Sequence, residues 1–320
     1  VYKRQQQHDQ PVYVRGDHKN ISKEPNPRRF LDGLGGSELT SPGSGRLEWA
    51  RYLADPANPL TARVRVNRIW SRVFGRGIVS SLDDFGVMGE LPSHPELLVY
   101  LARDFSTNGW STKALVRKLV LSSAFRSSAT PGPGVATADP KNIYLSHMSV
   151  RRMDAESIRD HILACSGTLK RDLHGPSVPP NVDDQPNSRA KPSSGPHDGN
   201  GRRSIYLEMR RNYLPSFLRV FDLPIATEPV GGRNVTNVPA QSLALMNDRF
   251  VHEQSRVWAR SLLGRQADAV DRLRVLHRQA FSREATGEEL AWGLRVLAGL
   301  GGEESEEAWA ALCHLMINRK

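Results

Sequence analysis

Residues 59–96 read PLTARVRVNRIWSRVFGRGIVSSLDDFGVMGELPSHPE, and the spacing within that run sets the fold class. From Leu60 to Phe74 the apolar residues Ala62, Val66, Ile69, Trp70 and Val73 recur at helical spacing and define one face. Arg65, Arg68 and Arg72 fall on another face at i, i+3 and i+7. Gly75 and Gly77 end the helix, because a helix C-terminus favours a left-handed residue that glycine adopts without strain. After the acidic turn Asp83-Asp84-Phe85-Gly86, Ser93 is placed as the N-cap of the next helix, with Glu96 three residues on and Pro95 in the first turn. Leu97, Leu98, Leu101 and Phe105 then supply that helix with a buried face.

The same period continues on both sides. Leu47, Ala50 and Leu53 mark a helix that Asp55-Pro56 stops, and Ser111 opens another with Leu115, Val116, Leu119, Val120 and Ala124. Further helices are predicted over 152–166 (Ala155, Ile158, Ile162, Cys165) and over 239–263 as one long element with Leu243, Met246, Phe250, Trp258 and Leu262 inward. Three more follow over 267–281, 286–300 and 304–318. Helices joined by short loops predict a mainly α fold, a multi-helix bundle with a small β ribbon and long irregular loops. The ribbon is assigned to the alternating pieces Val12-Tyr13-Val14 and Arg202 to Leu207, paired with one another. Residues 1–45 read as an extended N-terminal arm and 46–320 as a single helical domain. Within it, 171–203 loses apolar periodicity, gains six prolines and reads as an exposed or disordered loop.

The 320 residues contain 44 Lys and Arg against 34 Asp and Glu, a formal net charge of +10 that favours anionic partners. No run of about 18 apolar residues predicts a membrane span. The charge permits nucleic acid, but no helix-turn-helix, zinc-finger or RNA-binding signature accompanies it, so nucleic acid ranks last among the partners. Cys165 and Cys313 sit in helical apolar patterns and are expected as buried free thiols, with one long-range disulfide as the alternative in an oxidising compartment. There is no C-x-x-C-H for haem attachment and no H-x-x-x-H or H-E-x-x-H for a metal, so neither cofactor nor metal is expected in these residues. The start at Val1 and the uncapped end LCHLMINRK lead to the expectation that the chain belongs to a longer polypeptide whose export signal lies upstream.

Three groups of residues are candidates for a site. Asp83, Asp84 and His94 combine two close carboxylates with an imidazole, the residue types of acid–base work or cation binding, although neighbouring turn aspartates usually bond their own backbone. Arg65, Arg68 and Arg72 have the fork geometry that grips sulfate, carboxylate or phosphate. Their competing role is a structural network with Asp83, Asp84, Glu156 or Asp160. Arg203, Tyr206 and Arg233 form a second basic and aromatic set suited to a sugar or an anion. None of these groups matches a catalytic signature with a defined mechanism.

The blocks NPLTARVRVNRIWSRVFGRGIV, DDFGVMGELPSHPELL, GWSTKALVRKLVLS, RRMDAESIRD, RRSIYLEMRR, FDLP and NVPAQSLALMND, in that order, resemble a planctomycete domain of unknown function. That domain is found at the C-terminus of exported proteins that carry a cytochrome-c-like module near their N-terminus. The resemblance spans about Tyr13 to the end of the chain. It implies an extracytoplasmic module, periplasmic or secreted, that contacts other domains of its own polypeptide, with haem c confined to the cytochrome-like part. It supplies no catalytic residues. The function it suggests is recognition of anionic, for example sulfated, polysaccharide or help in processing it. The alternative is a non-catalytic interaction or assembly module that docks the cytochrome-like part.

Overall fold

A computed structural model describes residues 9–34, 36–39, 43–186, 191–225, 227 and 229–319. The described residues form twelve α-helices and one two-stranded antiparallel ribbon, so the fold is mainly α. Where the sequence predicts one domain over 46–320, the chain divides into two compact units, Val1–Arg151 and Arg152–Lys320.

The first unit opens with β1 (Gln10–Tyr13) and β2 (Ile21–Asn26), which pair with each other. The predicted partner of β1, residues 202–207, is not a strand: Ser204–Tyr206 is a short 3-10 turn in the second unit. Part of the supposed arm is anchored on α1 (Arg46–Ala54). The Phe30 ring stacks 4.4 Å from Tyr52 and 5.3 Å from Trp49, and the Tyr52 hydroxyl donates to the Leu34 carbonyl at 3.0 Å. The core lies among α2 (Thr61–Phe74), α3 (Pro95–Thr107) and α4 (Thr112–Val120), where Val66, Trp70, Phe74, Leu101, Phe105, Leu115 and Leu119 are buried together. The five apolar positions read on α2 are all buried. A one-turn helix, α5 (Val135–Ala138), follows in the connection to the end of this unit.

A buried amide fixes the turn after α2. Asn67 has no exposed surface; its Nδ2 donates to the Val79 carbonyl at 2.8 Å and its Oδ1 accepts from the Val79 N–H at 2.9 Å. Gly77 is needed inside this closure, because a Cβ there would lie 2.3 Å from the Val79 oxygen. Ser93 does not cap α3 as expected. Its N–H and hydroxyl both donate to the Ile78 carbonyl, tying the start of α3 to the same turn.

The second unit packs α6 (Ala155–Ser166), α7 (Ser216–Val220), α8 (Pro239–Asn247), α9 (Arg249–Leu263), α10 (Ala269–Phe281), α11 (Gly287–Gly299) and α12 (Glu306–Asn318). Trp258, Leu262, Leu273, Leu276, Leu297, Trp309 and Leu312 form its larger core with Cys165 and Cys313, both free thiols. Burial pushes the Cys165 thiol up to about 12 and the Cys313 thiol well above its ordinary range, so both remain protonated and inert. The predicted helix over 239–263 is two helices. Asp248 is extended, with φ −68° and ψ 129°, and its carboxylate accepts from the Phe250 N–H, which caps α9. The break turns Leu243 and Met246 outward, and Gln241 is the buried position of α8, donating to the Val220 and Thr236 carbonyls.

The C-terminal helices are locked by Glu289, which closes a capping box with Thr286 and pairs with Arg283 at 2.8 Å and Arg319 at 2.9 Å. The Arg283 bonds hold its carboxyl far below the ordinary value of 4.5, aided by the Thr286 N–H. A carboxyl depressed by folding stabilises the protein above its unfolded pKa and loses that contribution as pH falls. Wild type is therefore expected to lose melting temperature steeply below about pH 4.5, whereas Glu289→Gln is less stable at pH 7 and loses less on acidification. Parallel melting curves for the two proteins would rule this role out.

Candidate functional site

The three sequence-derived groups have different fates. Arg65, Arg68 and Arg72 are exposed along α2. Arg68 reaches Asp83 at 3.2 Å with both side chains about half exposed, and Arg65 donates to the Thr112 hydroxyl at 3.3 Å at the start of α4. Arg151 donates to the Arg72 carbonyl at 2.6 Å. All three arginines are exposed, and the Arg68–Asp83 pair lies at the surface, so this is an open basic face rather than a sealed network.

The acid–base group is not assembled. Asp83 is taken by Arg68, and Asp84 accepts from the Gly86 N–H at 2.8 Å, the aspartate turn that bonds its own backbone. His94 Nδ1 lies 3.0 Å from the Ser93 hydroxyl, and its ring meets Tyr144 edge-on. Among the described residues no hydrogen bond or ion pair joins His94 to either aspartate, and no group of three or more His, Cys, Asp or Glu is placed to hold a metal.

The basic and aromatic set of the second unit is consumed by internal pairing. Arg233 grips Glu156 through two bonds of 2.5 and 2.7 Å, which raise its pKa. Tyr206 is covered by Arg202, whose guanidinium sits 4.0 Å from the ring centre, and its hydroxyl accepts from the His174 N–H at 2.9 Å. Arg203 approaches Asp160 at 3.5 Å. These contacts radiate from α6, a helix that carries Glu156, Arg159 and Asp160. Just before it, Arg152 pairs with Asp222 at 2.5 Å.

Arg159 is the centre of this arrangement. It is 4% exposed and donates to the Arg202 carbonyl at 3.0 Å, the Ser204 hydroxyl at 3.0 Å and the Asp198 carbonyl at 2.7 Å. Burial lowers its pKa, while Asp160 and Asp198 support the charge. Asp160 in turn accepts from the Ser204 N–H and hydroxyl, both at 2.7 Å. Gly199 adopts φ +57°, and a Cβ there would meet Arg159 Nη2 at 2.5 Å. The guanidinium thus folds the segment 198–204 against α6.

The loop 171–203, read as exposed or disordered, has most of its described residues exposed, yet parts of it are tied down by specific bonds. Val178 donates to the Tyr206 carbonyl and accepts from Glu208, each at 2.8 Å, and Val178 and Val182 are buried. Asn181 donates to the Gly195 carbonyl at 2.9 Å. Residues 187–190 lie outside the described residues. Proline and polar composition hide this order, because the loop is held by backbone bonds and two valines rather than by periodic burial.

Folded this way, the loop encloses a recess of about 340 Å³ against α7 and the start of α9. Its walls include Pro180, Pro196, Pro215, Phe217 and Leu218; its polar groups include Asp183, Asp184, His197, Asp248 and Arg249, with Arg159 beneath. Burial pushes the Asp248 carboxyl up, with the Asp184 charge adding to the effect, while hydrogen bonds from Ser194 and Asn181 hold Asp183 down. His197 stands 3.7 Å from Asp183. None of these carboxylates is among the candidates read from the sequence. Asp248 carries a legible signal as an N-cap, whereas Asp183 and Asp184 sit unmarked in the proline-rich stretch.

Residues 45–297 match the family described as "Protein of unknown function (DUF1553)". No curated protein and no solved structure matches the chain.

Proposed function

Given that this chain belongs to the family of proteins of unknown function DUF1553, we propose that it is an extracytoplasmic recognition module for anionic, for example sulfated, polysaccharide within a multidomain, cytochrome-linked planctomycete protein. The observation that carries this reading is the open arginine face of α2. Residues 1–151 hold 21 Lys and Arg against 13 Asp and Glu, whereas residues 152–320 hold 23 against 21. The positive field therefore belongs to the first unit, and there Arg65 and Arg68 remain exposed, with Lys113 and Arg117 exposed on α4. Exposed guanidinium groups lose little hydration before meeting a sulfate and can bind it bidentately. The order of the sequence blocks supports the exported, cytochrome-linked context, and haem c belongs to the cytochrome-like module. Asp83 is engaged with Arg68, Asp84 with its own turn and His94 with Ser93, which favours recognition over processing.

The test is binding of the 320-residue chain to dextran sulfate and to uncharged dextran at low and high salt. Binding to the sulfated polymer is expected to fall with salt and to weaken about tenfold or more in the double variant Arg65→Glu/Arg68→Glu. Equal weak binding to both polymers would refute the reading.

A second reading, a module that docks the cytochrome-like part without chemistry of its own, is favoured by one feature. Val87, Met88 and Leu91 are 102%, 91% and 88% exposed on the loop before α3, and apolar side chains grouped this way mark interaction surfaces. Under this reading Val87→Asp/Met88→Lys abolishes association with the cytochrome-like module, while polymer binding stays at background in wild type.

A further inference from the structure

We propose that the recess between residues 180–184 and 196–199, α7 and the start of α9 is a second binding site, and that it takes one uncharged, hydroxyl-rich sugar ring. The argument is independent of the arginine face. A recess of about 340 Å³ is at the small end of ligand sites and holds a ligand of monosaccharide to disaccharide size. Its walls offer what a pyranose ring needs on both sides. Phe217 is only partly buried and is fixed by ring contacts to Phe250 at 5.6 Å and Phe221 at 5.1 Å, so its free surface is a rigid platform for the polarised C–H face of a sugar. Pro180, Pro196 and Pro215 extend that apolar surface without rotamer freedom.

The polar groups match hydroxyls rather than an ion. Asp183, Asp184 and Asp248 are acceptors, and His197 and Arg249 add donors. Arg159 is committed to Asp160 and the Asp198 and Arg202 carbonyls, and Arg249 to Glu253, so the lining presents mainly acceptors. The acceptors oppose an anion: a carboxylate or sulfate placed among three aspartates is repelled. Asp248 uses one oxygen on the Phe250 N–H, which leaves the other free to accept, and Asp184 adds a further carboxylate to the lining. The two units would then read different parts of a glycan, its anionic groups on α2 and an uncharged residue here.

Saturation-transfer NMR on the 320-residue chain tests this with a set of neutral methyl glycosides, methyl glucuronide and glucosamine. Transfer to at least one neutral glycoside is expected, with the glucuronide bound at least about tenfold more weakly. Phe217→Leu and the surface variant Asp183→Asn are each expected to weaken the neutral ligand about tenfold, since each removes a contact in the site. Arg65→Glu/Arg68→Glu leaves it unchanged, so failure here is separable from failure of the polymer reading. Absence of transfer to every neutral glycoside, preference for glucosamine, or binding unaffected by Asp183→Asn would each overturn the proposal.

Discussion

Arg159→Met is expected to destabilise the protein by about 3–5 kcal/mol, the cost of removing one partner from a buried charge network. The substituted chain keeps much of the side chain's volume but leaves Asp160 with a diminished counter-charge, strips the Arg202 carbonyl of its side-chain donor and leaves the Asp198 carbonyl with only the Gly201 N–H. Segment 198–204 would then detach from α6, taking with it the Ser204 bonds to Asp160. Arg159→Lys is expected to recover part of the loss, because an ammonium restores charge but cannot fork to three acceptors. Arg203→Ala provides the contrast. Its side chain is 49% exposed and 3.5 Å from Asp160, a surface pair worth at most about 1 kcal/mol. Urea unfolding followed by tryptophan fluorescence measures all three variants. An Arg159→Met protein within about 1 kcal/mol of wild type would show that the network is dispensable.

This network marks a limit of what sequence periodicity can reveal. The helices are legible because they bury one face: α2, α3, α10, α11 and α12 follow their apolar periods closely. The pairing of their charges is not, because Arg159 with Asp198 and Ser204, Arg233 with Glu156, and Arg152 with Asp222 join positions about 40 to 80 residues apart. Periodicity carries no information about such distant partners. The same limit explains the misplaced strand at 202–207. Alternation there reflects Ser204 turned onto α6, 1% exposed, and Ile205 turned to solvent, 75% exposed, within a single turn of 3-10 helix. The long helix over 239–263 fails for a local reason instead, since Asp248 lies within the apolar pattern yet prefers to cap the N-terminus of α9. As for the candidate site, α2's arginine face can be read from spacing alone, whereas the recess requires a proline-rich loop to fold back on two helices.

Asn67→Leu is the second large effect, expected at about 3–4 kcal/mol because it leaves a buried N–H and a buried C=O of Val79 unpaired at once. Leucine nearly matches asparagine in size, so the loss comes from polar groups rather than from a cavity. Asn67→Asp separates the two bonds. It retains an acceptor for the Val79 N–H but sets a carboxylate oxygen against the Val79 carbonyl, so it is expected to be no better than leucine near neutral pH and to improve as acid protonates it. Gly77→Ala attacks the same closure from the other side, since its Cβ would approach the Val79 oxygen to 2.3 Å. If the turn is one unit, Asn67→Leu and Gly77→Ala damage it non-additively, and a double-mutant cycle reads the coupling. The turn leads directly to Asp83, the partner of Arg68. Its loosening therefore releases Arg68, and residual folded Asn67→Leu protein is expected to bind dextran sulfate at least as tightly as wild type while melting far earlier. A parallel loss of both properties would show instead that the turn holds the arginine face itself in place.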